Sequence, residues 1–325
     1  MYISQFAIVA ALAASVSAHG VVTEIQGANG VNMPGLTVAD GTPRDCSSNG
    51  CGSQADTAII RDREIASGKA TPLGRTQGNG PVDASVMIAA FMGSGGATAP
   101  PTNQGASGAV GVEDDIPQNA QAQGRGRAGA GARRRQLFGG LGGLFGGGGA
   151  GGAGGNAGAT GIAGLLGGGG TKAEGPPEAR VAAATGAGAT SGMPTCADDG
   201  TVTMTLRQIN QDGAGPFTAD VDGTSGGTDE AAMQPATVTQ DVPGLGVQGI
   251  SLATSTEFEM KVQMPAGMTC DATVAGTPNV CVMRVRNGAA AGPFGGSVAF
   301  TQSTAARKRA VAYRLKKRME IARKN

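Results

Sequence analysis

The chain has 325 residues, but 59 are glycine and none is tryptophan, so much of its length lacks the bulky side chains of a core, and one core is expected instead of two. Its net charge of +1 conceals segregation: five arginines between 125 and 135, and a tail from Arg307 with nine Lys/Arg against one Glu, leave about −12 on the remainder. An acidic folded part excludes a nucleic-acid partner recognised through a basic core.

Residues 1–18 read as a secretory signal peptide, with an apolar run from Phe6 to Val16 ending in the small residues Val16-Ser17-Ala18. Cleavage after Ala18 would make His19, the single histidine, the first residue of the mature chain. No later stretch approaches the roughly 20 consecutive apolar residues of a membrane helix. The basic C-terminus is unlike a glycolipid-anchor signal. A secreted protein, extracellular or associated with the cell surface and without a transmembrane segment, is expected.

Residues 19–92 read as the first half of a folded domain. Val21–Ile25 is strand-like and runs into a turn at Gly27-Ala-Asn-Gly30. Thr57–Ser67 suits a short helix, with Ser53 or Asp56 as N-cap and Gly68 at the stop, while Val86–Met92 fits a strand or a helix. Residues 93–194 are repetitive and rich in Gly and Arg. A disordered insertion is expected there, with Arg133-Arg134-Arg135 as a solvated cluster or a dibasic processing site.

Residues 195–304 return to strand patterns. Val202, Met204 and Leu206 alternate with polar neighbours, as do Phe258, Met260 and Val262; Cys281–Arg286 and Ser297–Phe300 follow, with turn signals between them. The fold class this predicts is mainly β, an immunoglobulin-like antiparallel β-sandwich. Residues 305–325 form a basic tail in which Val311, Leu315, Met319 and Ala322 share one helical stripe. That pattern fits a membrane-surface helix or a binder of acidic polymers; the plainer reading is a frayed or processed tail.

Five cysteines in a secreted chain imply disulfides. Spacing suggests local bridges Cys46–Cys51 and Cys270–Cys281 with Cys196 left over, and the sequence leaves the connectivity open. Gly244-Leu-Gly-Val-Gln-Gly249 matches a dinucleotide fingerprint but lacks a following helix to hold a pyrophosphate. The stretch Asp220-Val-Asp222-Gly-Thr224 is similar to the start of a calcium loop, yet the twelfth position is Ala231, so a surface turn is expected. No catalytic residues and no cofactor are assigned. His19 is the one metal candidate: a terminal histidine chelates copper through its amine and ring nitrogens together.

That junction, Ala18-His19-Gly20 before a β-rich core, resembles the lytic polysaccharide monooxygenases, secreted copper enzymes. Their copper site needs a second histidine, which this chain lacks. Longer strings resemble another family. They are His19-Gly-Val-Val-Thr23, Gly27–Leu36, Asp40–Cys46, Gly52–Ile65, Gln208–Phe217, Val238–Gly244 and Val285–Gly296. Together they are similar to the Egh-type secreted proteins of fungi, which include the appressorium-specific virulence factors. The resemblance implies a secreted protein associated with host penetration, with a monooxygenase-like sandwich and no defined biochemical activity. With no catalytic constellation in the core, a non-catalytic surface or effector protein that binds fungal or plant cell-wall polysaccharide or a host surface component is expected. The resemblance also implies cysteines near the Gly-Pro-Phe strings, where this chain has Ala219 and Ser297. The alternative is a copper-dependent, monooxygenase-like oxidoreductase using His19.

Overall fold

The computed structural model of the protein describes residues 19–38, 55–94, 169–173, 178–210, 213–244, 251, 253, 255–290 and 292–324. The elements fall in two segments, within residues 19–94 and within residues 169–324. The first segment carries β1 (Gly20–Gln26), β2 (Asn32–Pro34), β3 (Ala58–Ile59), α1 (Asp62–Ala66), β4 (Arg75–Thr76), β5 (Gly80–Pro81) and α2 (Ala84–Met92). The second carries β6 (Thr171–Lys172), α3 (Glu178–Ala184), α4 (Gly188–Ser191), β7 (Thr201–Gln208), β8 (Phe217–Asp222) and a 3-10 turn (Glu230–Ala232). It continues with β9 (Gln234–Gln240), β10 (Thr256–Gln263), β11 (Ala272–Val274), β12 (Thr277–Asn287), β13 (Phe294–Thr301) and α5 (Thr304–Lys324).

All pairings between these strands are antiparallel, and the order is β2-β1-β7-β10-β9-β8-β12-β13-β3-β4-β5, with β6 added to β10 and β11 to β12. The fold is thus mainly β and antiparallel, as the period-2 alternation indicates. Its two layers are one sheet curled into a half-barrel. The bend falls on β9, which pairs with β8 through Gln234–Ala236 and with β10 through Thr237, Val238 and Gln240. A strand that changes partners along its length turns the corner of a sandwich. Curling brings β1 against β13: the Leu36 amide donates to Ser297 O at 2.9 Å, and Gly296 lies under Val22. The first segment therefore contributes to both layers, with β1 and β2 beside β7 and β3–β5 beyond β13.

Val202, Met204, Leu206, Phe258, Met260 and Val262 all enter the core, as expected. In β7 the alternation stops at its midpoint, and Thr205, Arg207 and Gln208 are buried as well. This strand lies between β1 and β10. From α3, Arg180 reaches over that region to Thr23 and forms a two-pronged pair with Glu257 at 2.7 and 2.8 Å. A strand covered on both faces has no need to alternate.

The helix expected over Thr57–Ser67 is shorter. Ala58 and Ile59 instead form β3 against Phe294 and Gly295, and the helix begins only after Arg61, without a side-chain cap. Burial of Ile59 and Ile60 outweighs the local helical pattern. Of the expected caps, Asp56 is buried before β3 and Ser53 lies outside the described residues. Gly68 closes the turn with φ of 74°, as expected. Val86–Met92 resolves as helix: Asp83 accepts the Ser85 amide at 2.8 Å, and Gly93 takes the left-handed C-cap at φ 63°.

The insertion expected over 93–194 falls largely outside the described residues, but its last part is structured. There α3 and α4 form, and Val181 is buried in the core. Cys270 and Cys281 are bonded, tying the approach to β11 onto β12. A loop of this size stabilises a fold by about 3 kcal/mol. Cys196 is buried and unpaired among the described residues, and Cys46 and Cys51 lie outside them.

Candidate functional site: the pocket of the single histidine

The chain enters β1 through His19, which is 1% exposed. Its carbonyl accepts the Ile209 amide at 2.9 Å, just beyond the end of β7. Gly213 crosses so closely that an ideal Cβ there would stand 2.0 Å from His19 O. Only glycine permits that approach. The imidazole lies beside the Phe294 ring, with centroids 5.0 Å apart and planes tilted by 31°.

The principal partner is Asn210. Its Oδ1 accepts from the His19 backbone nitrogen at 2.6 Å, and its Nδ2 faces His19 Nδ1 at 3.1 Å. The first bond fixes the amide orientation, because the backbone nitrogen donates. Nδ2 is then the donor toward the ring, Nδ1 accepts, and the ring proton belongs on Nε2.

Neighbouring polar side chains hold this end of the half-barrel in shape. Gln208 Nε2 donates to Asn210 O at 3.0 Å, Ser251 Oγ at 2.9 Å and Ala253 O at 2.8 Å. Asn287, at the end of β12, donates to Ala214 O at 3.2 Å and accepts from the Phe294 amide at 3.1 Å and the Ala289 amide at 3.2 Å. Asp241 accepts from the Phe217 amide at 2.9 Å. The Gly215–Pro216 and Gly292–Pro293 bonds are both cis. The strings 208–217 and 285–296, far apart in sequence, thus meet beside His19 at one end of the fold.

The residues present do not fit a copper brace. Asn210 spans the same two nitrogens through which a terminal histidine would chelate. Among the described residues, no group of three or more His, Cys, Asp or Glu is placed to hold a metal ion.

The remaining motifs have structural roles. Asp222 is fully buried and accepts from the backbone amides of Thr224 at 2.7 Å, Ser225 at 2.9 Å and Gly227 at 2.6 Å, and from the Ser225 hydroxyl. In place of the expected surface turn, Asp220–Asp222 close strand β8, and the buried Asp222 carboxylate is committed to the turn that follows. Asp220 pairs with the buried Arg284 at 3.0 Å. Of the glycine motif, Gly244 alone is described. Burial pushes the Cys196 thiol above its ordinary value, so it is poorly suited to act as a nucleophile. Sequence reasoning assigned no role to Asn210, Gln208 or Asn287. Their only signal was a position at the end of a strand within strings that look like a family pattern.

Fold and site together define a class: a disulfide-bearing antiparallel half-barrel whose single histidine is packed into a scaffold of amides. The chain belongs to the Egh16-like virulence factor family, whose profile matches residues 17–295. It is 50% identical over 317 residues to "Appressoria-specific virulence factor GAS2" of Pyricularia oryzae, covering 98% of this chain and 94% of that protein. Over 131 residues it is 38% identical to "Appressoria-specific virulence factor GAS1" of the same fungus, covering 39% of this chain and 51% of that protein. No solved structure matches the chain. The expected fungal virulence-factor family is thereby shown; the likeness to copper monooxygenases gains no support from these comparisons.

Proposed function

We propose that this is a secreted surface or effector protein that a fungus deploys when it builds its penetration structures, and that it binds cell-wall polysaccharide or a host surface component without chemical turnover. The names of the relatives support the setting, and the disulfide fits an oxidising compartment. The observation that carries the binding reading is the end of the half-barrel around His19. There Gln208, Asn210 and Asn287 spend their hydrogen bonds on fixing loops from distant parts of the chain. Loops braced from beneath in this way would meet a ligand with little ordering cost. With no tryptophan and two tyrosines in the chain, sugar recognition would rest on hydrogen bonds more than on ring stacking.

The test is retention of the secreted protein on insoluble chitin, β-glucan and plant cell wall, with chromatography of the released sugars. Saturable retention with no new oligosaccharides is expected. Release of oxidised or hydrolysed products would make the protein an enzyme, and failure to bind any wall or host-surface preparation would remove the binding reading.

A further inference from the structure

The outward side of α5 resembles neither the core nor the acidic body. Its first turns are anchored. Ser303 Oγ accepts the Ala306 amide at 3.1 Å and donates to Asp198 at 2.7 Å, while Arg307 donates to Cys270 O and to Asp271, each at 2.8 Å. Ala306 and Ala310 are buried, and Tyr313 packs beside Gly267. One side of the helix is therefore held against the body.

Among the described residues, the large apolar side chains that are exposed, Val311, Tyr313, Leu315, Met319 and Ile321, all belong to this helix and are 43% to 57% exposed. Val311, Leu315 and Met319 follow one another at steps of four, so they form a stripe, continued by Ala322. At about 3.6 residues per turn, Arg314 and Arg318 border that stripe on one edge, and Lys316 and Arg323 on the other. The whole helix carries nine Lys/Arg against one Glu, Glu320. Val311, Ala312 and Leu315, with Pro278 and Asn279 at the start of β12, also border a groove of about 810 Å³.

We propose that α5 docks the protein onto an anionic phospholipid surface. The helix would lie along the bilayer plane with Val311, Leu315 and Met319 at the acyl boundary. The flanking arginines and lysines would spread outward to the phosphates. Charge complementarity alone would suit an acidic polysaccharide equally well, but such a partner would leave the apolar stripe in water. The combination of stripe and cationic borders favours the membrane. No helix among the described residues is long and apolar enough to cross a bilayer, and α5 is proposed to lie on one.

The experiment is co-sedimentation of the full chain with vesicles of phosphatidylcholine mixed with phosphatidylserine, against phosphatidylcholine alone. Binding is expected to be roughly tenfold or more tighter on the anionic vesicles and to fall steeply with added salt. The double variant Leu315→Ser with Met319→Ser, and separately Arg314→Glu with Arg318→Glu, are each expected to weaken it severalfold while the far-ultraviolet spectrum stays unchanged. These side chains are exposed, so folding should survive the changes. Failure to bind anionic vesicles would overturn the proposal. Equal binding by the serine variant would also overturn it and assign the cations to an acidic polymer. So would self-association of the free protein that the serine variant abolishes, which would assign the stripe to a second copy of this chain.

Discussion

Asn210 holds its neighbour by both ends of one amide, and the two bonds are closed off from water. Removing that amide leaves the His19 backbone nitrogen without this partner inside a buried pocket. Asn210→Ala is therefore expected to cost about 1–3 kcal/mol in chemical denaturation, more than an exposed asparagine would. Asp222 works through charge. Burial by itself would raise its carboxyl, but the hydrogen bonds from Ser225, Thr224 and Gly227 overcome burial and hold it below the ordinary 3.8. Because the folded value lies below the unfolded one, its contribution is complete at neutral pH. It is lost as acid protonates the unfolded chain first and then the folded one. Urea midpoints measured from neutral pH down through the carboxylate range should fall less steeply for Asp222→Asn than for the parent, starting from a lower value.

Arg284 joins elements that would otherwise only touch. From β12 it reaches Asp220 of β8 at 3.0 Å, Glu230 of the 3-10 turn at 2.6 and 2.7 Å, and Pro72 O, before β4, at 2.6 Å. It is 3% exposed, whereas the Glu230 side chain is 46% exposed, so water still screens part of that pair. Arg284→Ala is expected to cost about 2–4 kcal/mol, below the upper range for a fully buried pair. Arg284→Lys should recover little of this loss, because a lysine lacks the forked geometry that serves these acceptors together. Thermal melts of both variants beside the parent would check the order. Legibility in the sequence divides at this scale. The Val202-Met204-Leu206 and Phe258-Met260-Val262 alternations are local and could be read directly. Ile59 became strand because of Phe294, 235 positions away, and no local window contains that pairing. Residues 178–191 have the alanine-rich composition of a linker, yet Arg180 and Val181 find partners elsewhere in the fold. The role of Asn210 depends on where β7 ends relative to His19, which no spacing rule supplies.

At the scale of the molecule, closure of the curl depends on backbone meeting backbone. An ideal Cβ on Gly35 would stand 1.9 Å from Val22 O, and one on Gly296 would stand 2.8 Å from Val22 N. Gly35→Ala must push β1 away from its neighbours, and a loss of about 1–3 kcal/mol or more is expected in denaturant titration. The bend at β9 was not legible either, since its two halves pair with strands on opposite sides of it in the sequence. The distribution of the first segment over both layers has a further consequence. Residues 20–26 sit between β2 and β7, residues 58–59 extend the sheet beyond β13, and the only described disulfide lies wholly within the second segment. A tryptic cut in the arginine run at 133–135 would therefore yield two polypeptides gripping each other like clasped hands. They are expected to co-elute in size-exclusion chromatography and to part only in denaturant. Their reassembly would then depend on concentration, as that of a dimer does, so a nicked molecule would survive as long as it stayed folded and be lost by dilution once it opened.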